Sequence, residues 1–95
     1  MKTIRKMNVK NIESPKGNKV PNQFIICADN GRYFQSYDSI ICFAPYDWDK
    51  PILLDRTYWD YSKTTGKYRN QFLEEDKKET ERKIKEGIYK LVDLN

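Results

Sequence analysis

No histidine occurs in the 95 residues. Its absence excludes the Ser-His and Cys-His arrangements in which an imidazole activates a nucleophile. There are only two cysteines, Cys27 and Cys42, so a structural zinc site of the usual four-ligand type is excluded as well. Both cysteines fall in apolar runs and read as buried free thiols. A disulfide between them would need their strands to be neighbours in an oxidising compartment. Neither the Gly-x-x-x-x-Gly-Lys phosphate loop nor the Gly-x-Gly-x-x-Gly turn is present. No apolar run approaches the ~20 residues that span a bilayer; the longest, residues 24–28, has a strand's length. The basic start, residues 1–6, has no apolar stretch behind it and does not read as a secretory signal. A cytoplasmic location without a membrane partner is therefore expected.

The residues that are present describe a folded but very polar domain. Hydrophobic residues make up 38% and charged residues 34%, and thirteen aromatics argue against disorder. A chain this short is expected to form one domain, residues 1–95, around a modest core. The net charge of +4 is unevenly placed. Residues 1–20 hold Lys2, Arg5, Lys6, Lys10, Lys16 and Lys19 against Glu13 alone. Such a region fits attraction to nucleic acid or to an acidic protein, or else a solvated lysine-rich strand face.

Periodicity predicts strands first and helices afterwards. Residues 4–12 alternate weakly and read as an irregular first strand, followed by a Ser-Pro-Lys-Gly-Asn turn. Residues 20–28 form the clearest strand, with Phe24, Ile26 and Ala28 on one face and Ile25 and Cys27 on the other, as in a central strand. Asp29-Asn30-Gly31 predicts a tight hairpin into residues 32–37, and residues 40–44 make a further strand. Residues 45–51 read as a loop, and 52–54 as a short edge strand. Thr64 is a candidate N-cap for a helix over 65–74, with Tyr68 and Phe72 spaced to face the sheet. A second helix over 77–86 is signalled by Asp76 and Glu79 at capping spacing, by i,i+4 ion pairs such as Lys77–Glu81 and Glu79–Lys83, and by Gly87 as its stop. Residues 88–94 alternate again and should return to the sheet. The expected fold class is thus α+β: a small antiparallel sheet of four to six strands with two C-terminal helices and a final strand. Its expected core is Phe24, Ile26, Phe34, Ile41, Phe43, Tyr68, Phe72 and Leu91.

The Gly-Asn-Lys-Val-Pro-Asn-Gln-Phe run at residues 17–24, the Tyr-Phe-Gln-Ser-Tyr run at 33–37, and Tyr-Ser-Lys-Thr-Thr at 61–65 followed by Phe72-Leu73 form a pattern. It resembles a family of small uncharacterised proteins of bacteriophages and mobile elements, over residues 9–94. The resemblance implies a phage setting and no established activity. Many relatives carry histidine where this chain has Tyr68, which speaks against a titrating or metal-binding role there.

Three groups of residues are candidates for function. Asp47, Asp49, Asp55 and Asp60 cluster in sequence, and Asp47-x-Asp49 has the spacing to share a hard cation; such spacing is also ordinary in acidic loops, and neither a metal nor a cofactor is expected. Ser62, Thr64, Thr65, Lys67 and Arg69 gather hydroxyls and cations at a helix start, where free N–H groups favour an anion or an acidic partner; the alternative is plain capping by Thr64 with solvated cations. Tyr46, Trp48, Tyr58, Trp59 and Tyr61 fall within sixteen residues. They form either a second small core or the anchors of a partner-binding surface. No catalytic residue is expected. The leading expectation is a non-catalytic phage-type accessory protein that binds a host protein, as an inhibitor of a host defence or regulatory protein would. The alternative is nucleic-acid binding through the basic N-terminal region and residues 62–69.

Overall fold

The computed structural model describes residues 7–95. The expected start of the first strand at Ile4 lies outside the described residues, as do Lys2, Arg5 and Lys6. The elements are β1 (Asn8–Glu13), β2 (Lys19–Cys27), β3 (Gly31–Ser36), β4 (Ser39–Pro45), β5 (Leu53–Asp55), α1 (Lys63–Leu73), α2 (Lys77–Lys85) and β6 (Lys90–Val92). They form one six-stranded sheet in the order β1-β2-β3-β4-β5-β6, so the α+β architecture is as expected. The first five strands pair antiparallel, because short turns join each to the next. Between β5 and β6 the chain runs through both helices, and these two strands pair parallel. β5 is therefore an interior strand, not the edge strand that its three residues suggest.

Two turns work differently from their sequence signals. The Asn30-Gly31 hairpin uses no positive φ at either residue. Gly31 instead opens β3 at a place where a Cβ would strike the Ala44 carbonyl oxygen and come within 2.6 Å of the Phe43 ring. Its smallness lets two neighbouring strands and an aromatic ring approach closely. The tight turn from β3 to β4 places Tyr37 at φ 57°, a left-handed conformation that costs free energy in a non-glycine residue. Two hydrogen bonds hold it: Tyr37 N–H donates to the Asn22 carbonyl at 2.7 Å, and the Gln35 amide donates to the Tyr37 carbonyl at 2.7 Å.

Cross-strand register sorts the sheet into two unlike faces. On one, Ile25, Phe34, Cys42, Leu54 and Leu91 stand side by side across five strands. This row meets Tyr68 and Phe72 of α1, with Ile84 of α2 and Tyr89 packed in, and forms the core. Phe72 stacks on Phe34 with ring centroids 5.8 Å apart, and the Arg32 guanidinium lies over the Phe72 ring, 5.1 Å from its centre. On the opposite face Val9, Ile26, Tyr33, Phe43 and Leu53 form an equally continuous row, and none of the five belongs to the helix-side core cluster.

Of the expected core, Phe34, Ile41, Phe43, Tyr68 and Phe72 are buried. Phe24 and Ile26 are only half-buried, and unlike the equally half-buried Ile25 neither packs against the helix-side core. Leu91 is half-buried and packs against the core from the edge strand. Three core members lie outside that set: Ile12, at the bulge in β1, Leu54 and Tyr89; Cys42, expected as a buried thiol, joins them. Gln23 is fully buried opposite Ser36 in β3, and its amide has no hydrogen-bond partner among the described residues.

The helix ends follow local chemistry. Asp76 caps α2 by accepting from Glu79 N–H at 2.9 Å, while the Glu79 carboxylate turns to Arg82 instead of closing a reciprocal box. At the other end Gly87, at φ 79°, and the bonds from Gly87 N–H to the Ile84 carbonyl and from Ile88 N–H to the Lys83 carbonyl complete a Schellman stop. Lys77 leaves its expected partner Glu81 for Asp60, 2.7 Å away. Beneath α2, Glu75 accepts from Lys83 and from the Tyr89 hydroxyl. Burial and the Glu75 carboxylate push the Tyr89 phenol up to about 12.

Candidate functional site

The start of α1 is built differently from its sequence reading. Ser62, not Thr64, is the N-cap: its extended backbone precedes the helix, and its hydroxyl accepts from Thr65 N–H at 3.1 Å. Thr64 is an exposed residue inside the first turn. Local sequence offers three hydroxyl residues of similar capping strength within four positions (Ser62, Thr64, Thr65), and what lies beneath the helix selects among them. Thr65 is drawn down onto β3, where its hydroxyl shares a buried 2.9 Å hydrogen bond with Ser36. That contact fixes the helix phase and leaves Ser62 at the cap. Ser62→Ala is expected to cost about 1 kcal/mol of stability in denaturant melts, and Thr64→Ala almost nothing; equal losses would show that the capping assignment is wrong.

Arg69 is the largest departure from expectation. It does not project into solvent: it is 1% exposed. Its guanidinium donates to the Trp59 carbonyl at 2.7 Å, to Asp60 at 3.1 Å and to the Asn70 side-chain oxygen at 2.9 Å, and it lies 5.1 Å from the Trp59 ring centre. Its Nε has no partner among the described residues. Asp60 also receives Lys77, so one carboxylate ties the second half of α1 to the first residue of α2. Partial burial pushes the Asp60 carboxyl up, but the hydrogen bonds from Lys77 and Arg69 outweigh it and hold it below the usual carboxylate range.

Around this pair lies an open groove of about 510 Å³ along the first turns of α1. Its charged lining is Lys63, Lys67, Arg69 and Lys77 against the single carboxylate of Asp60. Gly66 sits between them; a Cβ there would meet both terminal guanidinium nitrogens at 3.7 and 3.8 Å. Lys67 is exposed and lies over the Tyr68 ring at 5.3 Å. Of the hydroxyl and cationic residues expected to gather here, Ser62, Lys67 and Arg69 line the groove, while Thr65 is buried under it. Lys63 and Lys77 join them; the sequence signal for Lys77 was only its place in the first turn of the second helix.

The aromatics divide between the two roles considered for them. Tyr58 and Trp59 pack against the core and are half-buried, so they are not free anchors. Tyr61 is exposed and meets Tyr58 edge-on, with centroids 5.4 Å apart. Trp48 is 96% exposed at the tip of the β4–β5 loop, and Tyr46 in the same loop is also exposed. Trp48 borders a second groove of about 550 Å³ whose apolar lining includes Pro51, Ile52, Ile88 and Tyr89.

The aspartates do not converge. Among the described residues no group of three or more His, Cys, Asp or Glu side chains is placed to hold a metal ion. Asp55 is buried and structural: it accepts from the N–H groups of Thr57, Tyr58 and Leu94 and so ties the C-terminal segment to the chain leaving β5. Asp47 accepts from Asp49 N–H within its own loop. Cys27 and Cys42 are both free, and burial drives the Cys42 thiol far up, away from the thiolate that reacts as a nucleophile. No helix among the described residues is long and apolar enough to cross a membrane.

The sequence of residues 7–87 matches the model of a family of unknown function, DUF8033. The chain belongs to that family. No curated protein and no solved structure matches it.

Proposed function

We propose that this DUF8033 member is a non-catalytic, phage-type accessory protein that binds a host protein, in its most concrete form an inhibitor of a host defence or regulatory protein. The observation that carries this reading is Trp48. An indole almost wholly in water, on a loop of a folded domain, is a costly placement unless a partner covers it, and tryptophan dominates binding hot spots. Its neighbours favour a protein over a nucleic acid: Asp47 and Asp49 flank it and repel phosphate. The apolar groove beside it accommodates a side chain from the partner. A lack of histidine and a buried, protonated Cys42 agree with a binding role.

The test compares Trp48→Ala with the parent. Since Trp48 touches little of its own fold, the variant is expected to melt as the parent does. Affinity for a host protein captured by the parent is expected to fall at least about thirtyfold, as for a hot-spot residue. Equal capture of that protein by both forms would remove Trp48 from the interface and with it this reading.

The second reading, nucleic-acid binding, is favoured by the cationic groove of α1, with exposed Lys10, Lys16 and Lys19 on β1, the following turn and β2. It calls for duplex binding that weakens steeply with salt, with a log–log slope near −0.9 per neutralised phosphate. Lys63→Ala with Lys67→Ala would reduce that slope and leave Trp48-dependent protein capture intact.

A further inference from the structure

The groove along α1 is lined by a glycine that the helix itself does not need. Gly66 lies inside α1 and has no left-handed φ, and a Cβ on it would meet nothing closer than 3.7 Å. Alanine therefore fits there, and it favours a helix more than glycine does. Beneath the missing methyl lies the Arg69 guanidinium, with its two terminal nitrogens 3.7 and 3.8 Å from that Cβ position. Arg69 is 1% exposed and still lines the groove. A guanidinium carries five N–H hydrogens. Among the described residues only three of them find acceptors. One terminal nitrogen donates to the Trp59 carbonyl and to Asp60, and the other donates to Asn70. Nε has no partner, and neither does the second hydrogen of the nitrogen that meets Asn70. A buried cation with spare donors beside an opening calls for an acceptor from outside the chain.

We propose that this groove binds a nucleoside monophosphate, with its phosphate over Gly66 and its base against Tyr61. Charge selects the phosphate. Lys63, Lys67, Arg69 and Lys77 line the groove against one carboxylate, Asp60, which Arg69 and Lys77 already share. Lys63, Gly66, Lys67 and Asn70 are spaced along one face of α1, so the two exposed lysines flank the glycine. A phosphate monoester concentrates nearly two negative charges on one group. Such a group suits cations gathered around one opening, whereas a duplex spreads single charges along its length. Asn70, in the groove wall, now holds one guanidinium hydrogen with a neutral amide oxygen. A phosphoryl oxygen is the stronger acceptor for it. Tyr61 lines the same groove and is 46% exposed, and aromatic rings hold nucleobases by stacking. The volume of about 510 Å³ is that of a small-molecule site. This proposal does not rest on Trp48, which borders the other groove. It assigns the lysines of the nucleic-acid reading to a different ligand.

Amide-resolved NMR titration of the parent, Gly66→Ala and Tyr61→Ala tests it. The probes are adenosine monophosphate, inorganic phosphate and adenosine, at constant ionic strength. Adenosine monophosphate is expected to shift the amides of residues 61–70 saturably, with a Kd of about 1 mM or tighter, and adenosine is not. Gly66→Ala is expected to melt no lower than the parent. It is expected to bind both phosphates at least about tenfold more weakly, the worth of one hydrogen bond to a charged group. Tyr61→Ala is expected to weaken adenosine monophosphate and leave inorganic phosphate unchanged. An absence of shifts at millimolar adenosine monophosphate overturns the proposal. So does binding by Gly66→Ala as tight as that of the parent, because the opening over Arg69 is then idle. Shifts that never saturate and extend to the exposed Lys10, Lys16 and Lys19 overturn it as diffuse attraction. Equal affinity of the parent for adenosine monophosphate and inorganic phosphate overturns the nucleoside assignment. Duplex binding without monophosphate binding removes this site and leaves the nucleic-acid reading standing.

Discussion

Replacing Arg69 by methionine is expected to cost about 3 kcal/mol or more of folding stability, a value typical of breaking a buried, hydrogen-bonded ion pair. Methionine fills much of the stem's volume, so the loss reports the guanidinium. Three acceptors lose their donor at once: the Trp59 carbonyl, Asp60 and the Asn70 side chain. The Trp59 ring loses the cation beside it. Asp60 retains Lys77, which keeps the cost below that of an isolated buried carboxylate. Arg69→Lys is expected to recover only part of the loss, because one ammonium cannot reproduce a planar fork that reaches both the backbone and a carboxylate. By contrast Lys67→Ala is expected to change stability by a few tenths of a kcal/mol, as an exposed charge does. Urea melts of the three variants check this; a loss below about 1 kcal/mol for Arg69→Met would mean that the guanidinium network contributes little net stability.

Phe72→Ala is expected to cost about 3–5 kcal/mol. Phe72 is buried on the inner face of α1, stacked on Phe34 of β3 and shielded by Arg32. Its removal leaves a cavity between helix and sheet that few neighbours can fill: Phe34 is held by the sheet, and Thr65, one side of the same helix, is tied to Ser36. The Arg32 guanidinium loses the ring it covers. With a total stability typical of a small domain, the variant is expected to be partly unfolded at ambient temperature. A denaturant midpoint close to that of the parent would show that α1 does not pack as described.

Both side chains lie on one helix, and their legibility in the sequence differed. Phe72 was readable because Tyr68 and Phe72 are four apart, and a helix places such residues on one face whatever its surroundings. Arg69 was not. Its position next to Tyr68 and Lys67 suggests the solvated side of the helix, and nothing local shows that the Trp59 carbonyl and Asp60 wait beneath it. A cation is buried when acceptors and a counter-charge are already placed around it, and those come from residues nine and ten positions earlier in the chain.

The sequence by itself determined the kind and order of the elements. Alternation marked the strands, Asp76 and Gly87 marked the ends of the second helix, and the absence of histidine removed whole classes of chemistry. These are local matters: a cap, a left-handed glycine or a two-residue period acts within a few residues of itself. Only the tertiary structure decided which of two apolar faces of β2 went inward, that three-residue β5 lies inside the sheet, that Ser62 and not Thr64 caps α1, and that Tyr58 and Trp59 joined the core while Trp48 stayed in water. Periodicity gives the spacing of side chains along an element but not the side on which a partner will pack. Ile25 and Ile26 are equivalent in sequence and opposite in the fold because the helices cover one face of the sheet and leave the other open.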